Sequence, residues 1–356
     1  MEKAAFAFRT EGVPVAVRKL GHGHINKTML VTTDAGREYV LQKINTYVFK
    51  DPVGLMNNAG SVTDYIRRKG NDPQMSLRYI DTHDGAFCHE DHHGSFWRMY
   101  NYMDGFCLDM PESEDDLYES AVAFGKFQDL LSDYPAETLC ETIPNFHNTP
   151  DRYRQFKESV KADAAGRLAG VREEVAFILE REEIGSRLQR MLEAGELPLR
   201  VTHNDTKLNN LLLVRETRKC LCVLDLDTVM PGLSAYDFGD SIRFGAATAL
   251  EDEKDLSKME LSLHLFEVYT RGFLKAASAL TDREIQVLPL GAYTMTLEVG
   301  LRFLKDYLDG DVYFGTAYPE HNLVRARTQI KLLADMERKM AEMERIVERI
   351  ANELRK

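Results

Sequence analysis

Val201-Thr202-His203-Asn204-Asp205-Thr206-Lys207-Leu208-Asn209-Asn210 is the stretch on which the reading of this chain turns. It spaces His203, Asp205 and Asn210 as H-x-D-x-x-x-x-N, and it is followed by Val223-Leu224-Asp225-Leu226-Asp227, an acid at the end of an apolar strand. Between the two, Leu211–Val214 and Leu221–Leu226 read as short strands joined by the charged turn Arg215–Lys219. Either piece alone is ordinary: Asp205 and Asn210 would be turn residues and Asp225 a strand end. Together and in this order they form the set that phosphoryl transfer needs. A carboxylate must accept or orient a hydroxyl proton, and oxygen ligands must hold Mg²⁺ to neutralise phosphate charge. Asp205 suits the first task. Asn210 and Asp225 suit the second, with Asp227 as a candidate for a second ion.

Working outward, the preceding chain changes character near Gly105. Before it, Val13–Lys19, Lys27–Thr33, Glu38–Ile44, Leu77–Asp81, Ala86–His89 and Phe96–Asn101 read as strands. One helix is inserted after Asp51-Pro52 and runs to Arg68, where Gly70 and Asn71-Asp72-Pro73 stop it. After it, helices dominate: one capped by Ser113, one opened by Thr149-Pro150, and others over roughly 172–193, 251–275 and 282–308. The pattern predicts an α+β chain of two lobes with the protein-kinase-like fold. A small antiparallel sheet with one helix fills 1–103, the nucleotide-binding lobe, and a larger, mostly helical lobe fills 104–356, the catalytic and acceptor lobe. Gly21 and Gly23 lie between the first two strands, where backbone amides can approach phosphate oxygens; a hairpin needs glycine there anyway. Lys43 sits on the third strand, the place of a phosphate-pairing lysine, although a strand lysine is usually a solvated group. Asn101 and Met103, where the sheet hands over to the helices, would border the adenine.

The longer strings carry a family resemblance. His203–Asn210, Leu224-Asp225-Leu226-Asp227-Thr228-Val229-Met230-Pro231-Gly232, Tyr236-Asp237-Phe238-Gly239-Asp240 and Arg243-Phe244-Gly245 look like those of N-acetylhexosamine 1-kinases, within the aminoglycoside phosphotransferase and choline kinase superfamily. Gly23-His24-Ile25-Asn26 and Val40-Leu41-Gln42-Lys43-Ile44-Asn45 do as well, so the similarity runs from the glycine loop to about Tyr313. The resemblance implies ATP as co-substrate, Mg²⁺, and transfer to the anomeric hydroxyl of GlcNAc or GalNAc. Asp205 matches the family base, Asn210 and Asp225 its metal ligands, and Arg302 and Tyr313 its sugar contacts, with His24 as a further one. Its lysine is normally paired with a glutamate on the inserted helix, where this chain offers only Asp64. A same-fold kinase for another sugar, an amino alcohol or an aminoglycoside is the alternative. A catalytically silent nucleotide binder is the third, against which the intact Asp205, Asn210 and Asp225 speak.

Composition narrows the partners. The 356 residues carry a net charge of −12, which repels nucleic-acid phosphates and anionic lipid. No apolar run of about 18 residues occurs to cross a membrane, and the first residues hold no secretory h-region. Five irregularly spaced cysteines predict no disulfide framework and a reducing, cytoplasmic setting. Cys88-His89-Glu90-Asp91-His92-His93 reads as an exposed turn rather than a metal site. Leu333, Met336, Met340, Met343, Val347, Ile350 and Leu354 alternate spacings of three and four. That stripe fits a helix packed on its own lobe, and hence a monomer, or else a dimer seam. Asp237 and Asp240 could touch substrate, and Asp237 could equally cap a helix or brace the catalytic loop.

Overall fold

The computed structural model describes residues 3–20, 27–70 and 76–356. They divide into two units. The first contains Met1–Cys107, Asp133–Pro144 and Asn210–Pro231, and the second Leu108–Ser132, Asn145–Asn209 and Gly232–Lys356. The single cut expected after residue 103 differs from this division because two later segments return to the first unit. Hydrogen bonds show why. Phe106 and Leu213 exchange both backbone bonds, at 3.0 and 2.8 Å, and Asn58 donates to the carbonyls of Cys140 and Val229.

The first unit is built on an antiparallel sheet in the order β1-β2-β3-β5-β4. Its strands are β1 (Pro14–Lys19), β2 (Lys27–Thr33), β3 (Glu38–Lys43), β4 (His89–Glu90) and β5 (Phe96–Asn101). Strands alternate their side chains between faces. On one face Met29, Val31, Tyr39, Leu41, Trp97 and Met99 form an apolar core closed by Ala4, Ala5 and Phe8. The inserted helix α1 (Pro52–Lys69) opens as expected. Asp51 accepts from the Gly54 amide, and Pro52 sits where no amide is needed. Residues 77–81 and 86–89, expected as strands, contribute little more than β4 and isolated bridges such as Tyr79 to Tyr100. The later hairpin, β7 (Leu211–Leu213) with β8 (Cys220–Val223), belongs to this unit.

The second unit is helical. It holds α2 (Glu114–Leu130), α3 (Thr149–Ala162), α4 (Arg172–Leu179), α5 (Glu182–Gly185), α6 (Arg187–Glu193) and the short strand β6 (Arg200–Thr202). After β9 (Met230–Gly232) come α7 (Ser234–Gly245), α8 (Leu263–Ala276), α9 (Asp282–Gln286), α10 (Leu288–Asp309) and α11 (His321–Leu354). Three expected helices are shorter or broken. The 172–193 segment is three pieces. The 282–308 segment is interrupted before Pro289, which cannot occupy a helix interior. Of 251–275, only the part from Leu263 is α-helical, because the Ser262 side chain caps it and the residues before it turn instead, with Ala247 bridging Leu261.

Helices α7 and α10 are buried nearly all round, as core helices must be. They touch backbone to backbone. A Cβ on Gly239 would lie 2.3 Å from the Gly291 carbonyl oxygen, and one on Gly291 would lie 2.2 Å from that of Ala235. The α11 stripe is used at home. Leu333, Met336, Met343, Val347 and Ile350 are buried and Met340 packs on the core, leaving Leu354 exposed. No disulfide joins the five cysteines.

Gly239→Ala should lower stability in denaturant unfolding by about 1–3 kcal/mol, the usual cost of overpacking. Gly170→Ala, where an added Cβ meets nothing within 4 Å, should stay within about 0.5 kcal/mol. Equal unfolding midpoints for the two would mean that α7 and α10 can part without cost.

Candidate active site

The candidate catalytic loop leaves β6 and must satisfy its backbone without regular structure. A single carboxylate does most of this. Asp237, on α7, accepts from the His203 amide at 2.9 Å and the Asn204 amide at 2.7 Å, and also from the Gln128 side chain of α2. Its own carbonyl accepts from Thr206 Oγ1 at 2.7 Å. Asn204 takes a positive φ of 65°, which asparagine tolerates better than most residues. His203 is fully buried, edge-on to Phe124 and Phe127. Burial pushes the Asp237 carboxyl up, while His203 and the amides pull against it. Asp237 is thus the brace of the loop. Asp240, the other acid of that motif, is buried and paired with Arg243.

Asp205 follows in the braced loop, partly exposed, with Lys207 Nζ 2.9 Å from its Oδ1. Burial works against the charge of Lys207, but Asp205 and Asp240 outweigh it and raise its pKa, so the ammonium persists. Nothing in the spacing of the motif had singled Lys207 out.

In the first unit the hairpin brings the metal candidates together. Leu211 pairs with Val223 in the ladder, and the Leu224 amide donates to the Asn210 carbonyl at 2.7 Å. Asn210 and Asp225 therefore sit at the neighbouring open ends of the two strands. Asp225 is exposed and held in the left-handed region, with φ of 52°. That is an unfavourable conformation of the kind that accumulates at functional sites. An amide oxygen together with a carboxylate oxygen is a donor set that suits Mg²⁺, which keeps several ligands for water and phosphate. Among the described residues no group of three or more His, Cys, Asp or Glu could hold a metal unaided. Asp227 differs from its neighbour. It is buried and ion-paired with Arg98 of β5, whose Nε also donates to Gln42 at 2.9 Å.

Lys43 is exposed and, as the residue after Gln42, stands on the opposite face of β3 from it. Asp64 pairs with Arg67 on its own helix, so it is not the partner that the sequence left open for Lys43. At the end of β5, the Asn101 side chain accepts from the Arg78 amide at 2.7 Å, and Tyr102 donates to the Glu38 carbonyl. Asn101 and Met103 line a cavity of about 660 Å³ together with Arg78 and Leu221. Gly21, Gly23 and His24 lie outside the described residues.

The acceptor candidates meet in the second unit. Helix α10 carries Glu298, Arg302 and Asp306 at four-residue intervals, hence on one face. Asp306 is buried and accepts from the Val312, Tyr313 and Phe314 amides at 3.0, 2.8 and 2.9 Å. That fastens the loop bearing Tyr313 beside Arg302, whose guanidinium carbon lies 5.2, 5.8 and 5.4 Å from the rings of Phe146, Tyr313 and Phe314. Glu298 is not a surface partner of Arg302. It is fully buried, 2.8 Å from His147 Nδ1 and 3.0 Å from Thr149 Oγ1. Burial would raise its pKa, but His147, Arg152 and Arg302 together lower it.

The chain belongs to the phosphotransferase enzyme family, whose profile matches residues 16–258. It is similar in structure to a microcompartment-associated aminopropanol kinase, with a TM-score of 0.61 at 15% identity over 92% of this chain and 93% of that one. A choline kinase from Cryptosporidium parvum Iowa II gives 0.59 at 14%, over 92% and 90%. An aminoglycoside phosphotransferase from Alicyclobacillus acidocaldarius gives 0.61 at 12%, over 98% and 95%. At such identities the likeness is one of fold. The fold is kinase-like, with an antiparallel-sheet lobe and a helical lobe, and no described helix is long and apolar enough to cross a membrane.

Asp237→Asn keeps the shape of the brace but turns an NH₂ group toward backbone donors. It should cost about 1–3 kcal/mol of stability, the usual penalty for an unsatisfied buried group, and lower turnover by displacing the loop. A variant with wild-type unfolding and wild-type turnover would show that the loop holds itself.

Proposed function

We propose that this phosphotransferase is an ATP- and Mg²⁺-dependent kinase of a small alcohol, and that the alcohol is the anomeric C1 hydroxyl of an N-acetylhexosamine, GlcNAc or GalNAc. The similar structures include kinases of aminopropanol and choline, which supports the alcohol. The observation that carries the sugar is Arg302. Among the described residues it makes ring contacts but no ion pair, beside a Tyr313 loop fastened by Asp306. A cationic acceptor such as choline or an amino alcohol would be repelled there, whereas a neutral sugar offers several oxygens to a multi-donor fork. The resemblance of the catalytic strings to N-acetylhexosamine 1-kinases points the same way.

Asp205 receives or orients the proton of the acceptor hydroxyl, and Lys207 beside it places a positive charge next to the developing phosphoryl transfer. Asn210 and Asp225 would hold Mg²⁺, which neutralises phosphate charge when bound. Asn101 and Met103 are the candidates beside the adenine. Positioning and charge account for catalysis in this class, since the protein has little covalent chemistry to perform.

A panel of acceptors with Mg·ATP, read by ADP release and by the linkage of the product, tests the reading. Turnover of N-acetylhexosamines to their 1-phosphates is expected; turnover of choline or aminopropanol alone would overturn the sugar assignment. Asp205→Asn should reduce kcat by about 10²- to 10⁴-fold, the usual loss for a positioned base, while ATP affinity holds. Near-normal turnover at saturating sugar would remove Asp205 from that role. Arg302→Ala should raise the sugar KM about tenfold, near 1.4 kcal/mol, and spare the ATP KM. An equal effect on both substrates would show that Arg302 does not touch the sugar.

A further inference from the structure

The inner face of the sheet carries a buried cation that the sequence pattern conceals. In the ladder Gln42 stands opposite Arg98, and Val40 opposite Tyr100, so these four share one face. Leu41, Lys43 and Trp97 share the other. Arg98 is only 2% exposed. Its Nε donates to Gln42 Oε1 at 2.9 Å, and its Nη1 meets the Asp227 carboxylate and lies 3.8 Å from Met56 Sδ of α1. Tyr79 and Tyr100 stand edge to face at 5.8 Å beside it. Asp227 itself lies in the single 3-10 turn Leu226–Thr228 that begins directly after Asp225.

A buried ion pair of this sort adds little net stability over apolar side chains of the same volume, so stability alone does not account for it. Its geometry does. The guanidinium is fixed at both ends, by strand β3 through Gln42 and by the turn through Asp227. The turn in turn sets the backbone of Asp225, whose left-handed conformation needs outside support. We propose that Arg98 is the positioning residue of the nucleotide half: it clamps Asp227, and through it holds Asp225 where it can bind a metal–nucleotide. It also engages the Asp227 carboxylate in the fold, so Asp225 and Asn210 form the metal-facing pair. This inference rests on the reading of Asn210 and Asp225 as the metal-holding residues.

The test is equilibrium binding of ATP, by calorimetry without acceptor, with Mg²⁺ and with excess EDTA. Asp225→Ala serves as the check on the underlying reading. The double variant Arg98→Met/Asp227→Leu replaces the pair by apolar groups and avoids stranding one buried charge. It is expected to unfold near the wild-type temperature, yet to bind Mg·ATP about 10- to 100-fold more weakly, the range for loss of a group that orients a metal ligand. Metal-free ATP affinity should change far less. Arg98→Lys keeps the charge without the two-bonded fork and should weaken Mg·ATP in the same direction; it decides the matter if the double variant does not fold. Wild-type Mg·ATP affinity in a folded double variant, or in Arg98→Lys, overturns the role of Arg98 while loss of binding in Asp225→Ala leaves the metal reading standing. If Asp225→Ala itself binds Mg·ATP like the wild type, the underlying reading falls first.

Discussion

The Asp237 carboxylate is the interaction on which the candidate catalytic loop depends. A loop that must present Asp205 cannot be a helix or a strand, so its amides need another acceptor. One buried anion meets that need by accepting from two successive backbone amides and from Gln128. The anion can exist there only because its donors replace water, as a buried charge requires. Its position depends on α7, and the position of α7 depends on Gly239 and Gly291, which let two helices approach backbone to backbone. Changes at a helix crossing are thus transmitted to Asp205, the proposed base, through a chain of named contacts.

The local parts of this arrangement were legible in the sequence, and the long-range parts were not. Strands β2 and β5 match their expected ranges, and α1 and α2 begin at the caps that Asp51 and Ser113 announce. The hairpin between Asn210 and Asp225 was readable because its two strands and its turn lie within a few residues. The 251–262 segment misled because its charged residues are spaced like a helix face, whereas Ser262 starts the helix only afterwards. The Arg98–Asp227 pair was invisible for a different reason. Its partners lie on separate elements far apart in sequence, and Arg98 sits in a stretch that reads as plain strand. Likewise Asp306 looks like any acid on a helix until the Tyr313 loop folds onto it.

Charge placement separates architecture from chemistry. Several buried carboxylates are matched within their own units: Asp227 by Arg98, Asp240 by Arg243, Glu284 by Arg200, Glu298 by His147. Such pairs cost about as much to desolvate as they return, so their value lies in fixing geometry. The groups assigned to substrates follow a different rule. Asp205 and Asp225 reach the surface, and Arg302 faces aromatic rings rather than a carboxylate. A guanidinium left with π-faces retains most of its hydrogen-bonding capacity, because the rings attract its charge without occupying its N–H donors. That is the state in which a fork of donors can bind two oxygens of an incoming neutral molecule at small reorganisation cost. On the proposed reading of Arg302 as an acceptor contact, the same charge would disfavour acceptors that are themselves cations. If Arg302 meets the acceptor as proposed, such a site would discriminate by charge first and by the placement of hydroxyl groups second, and an overall acidic surface would not alter that order, because the decisive field is the local one.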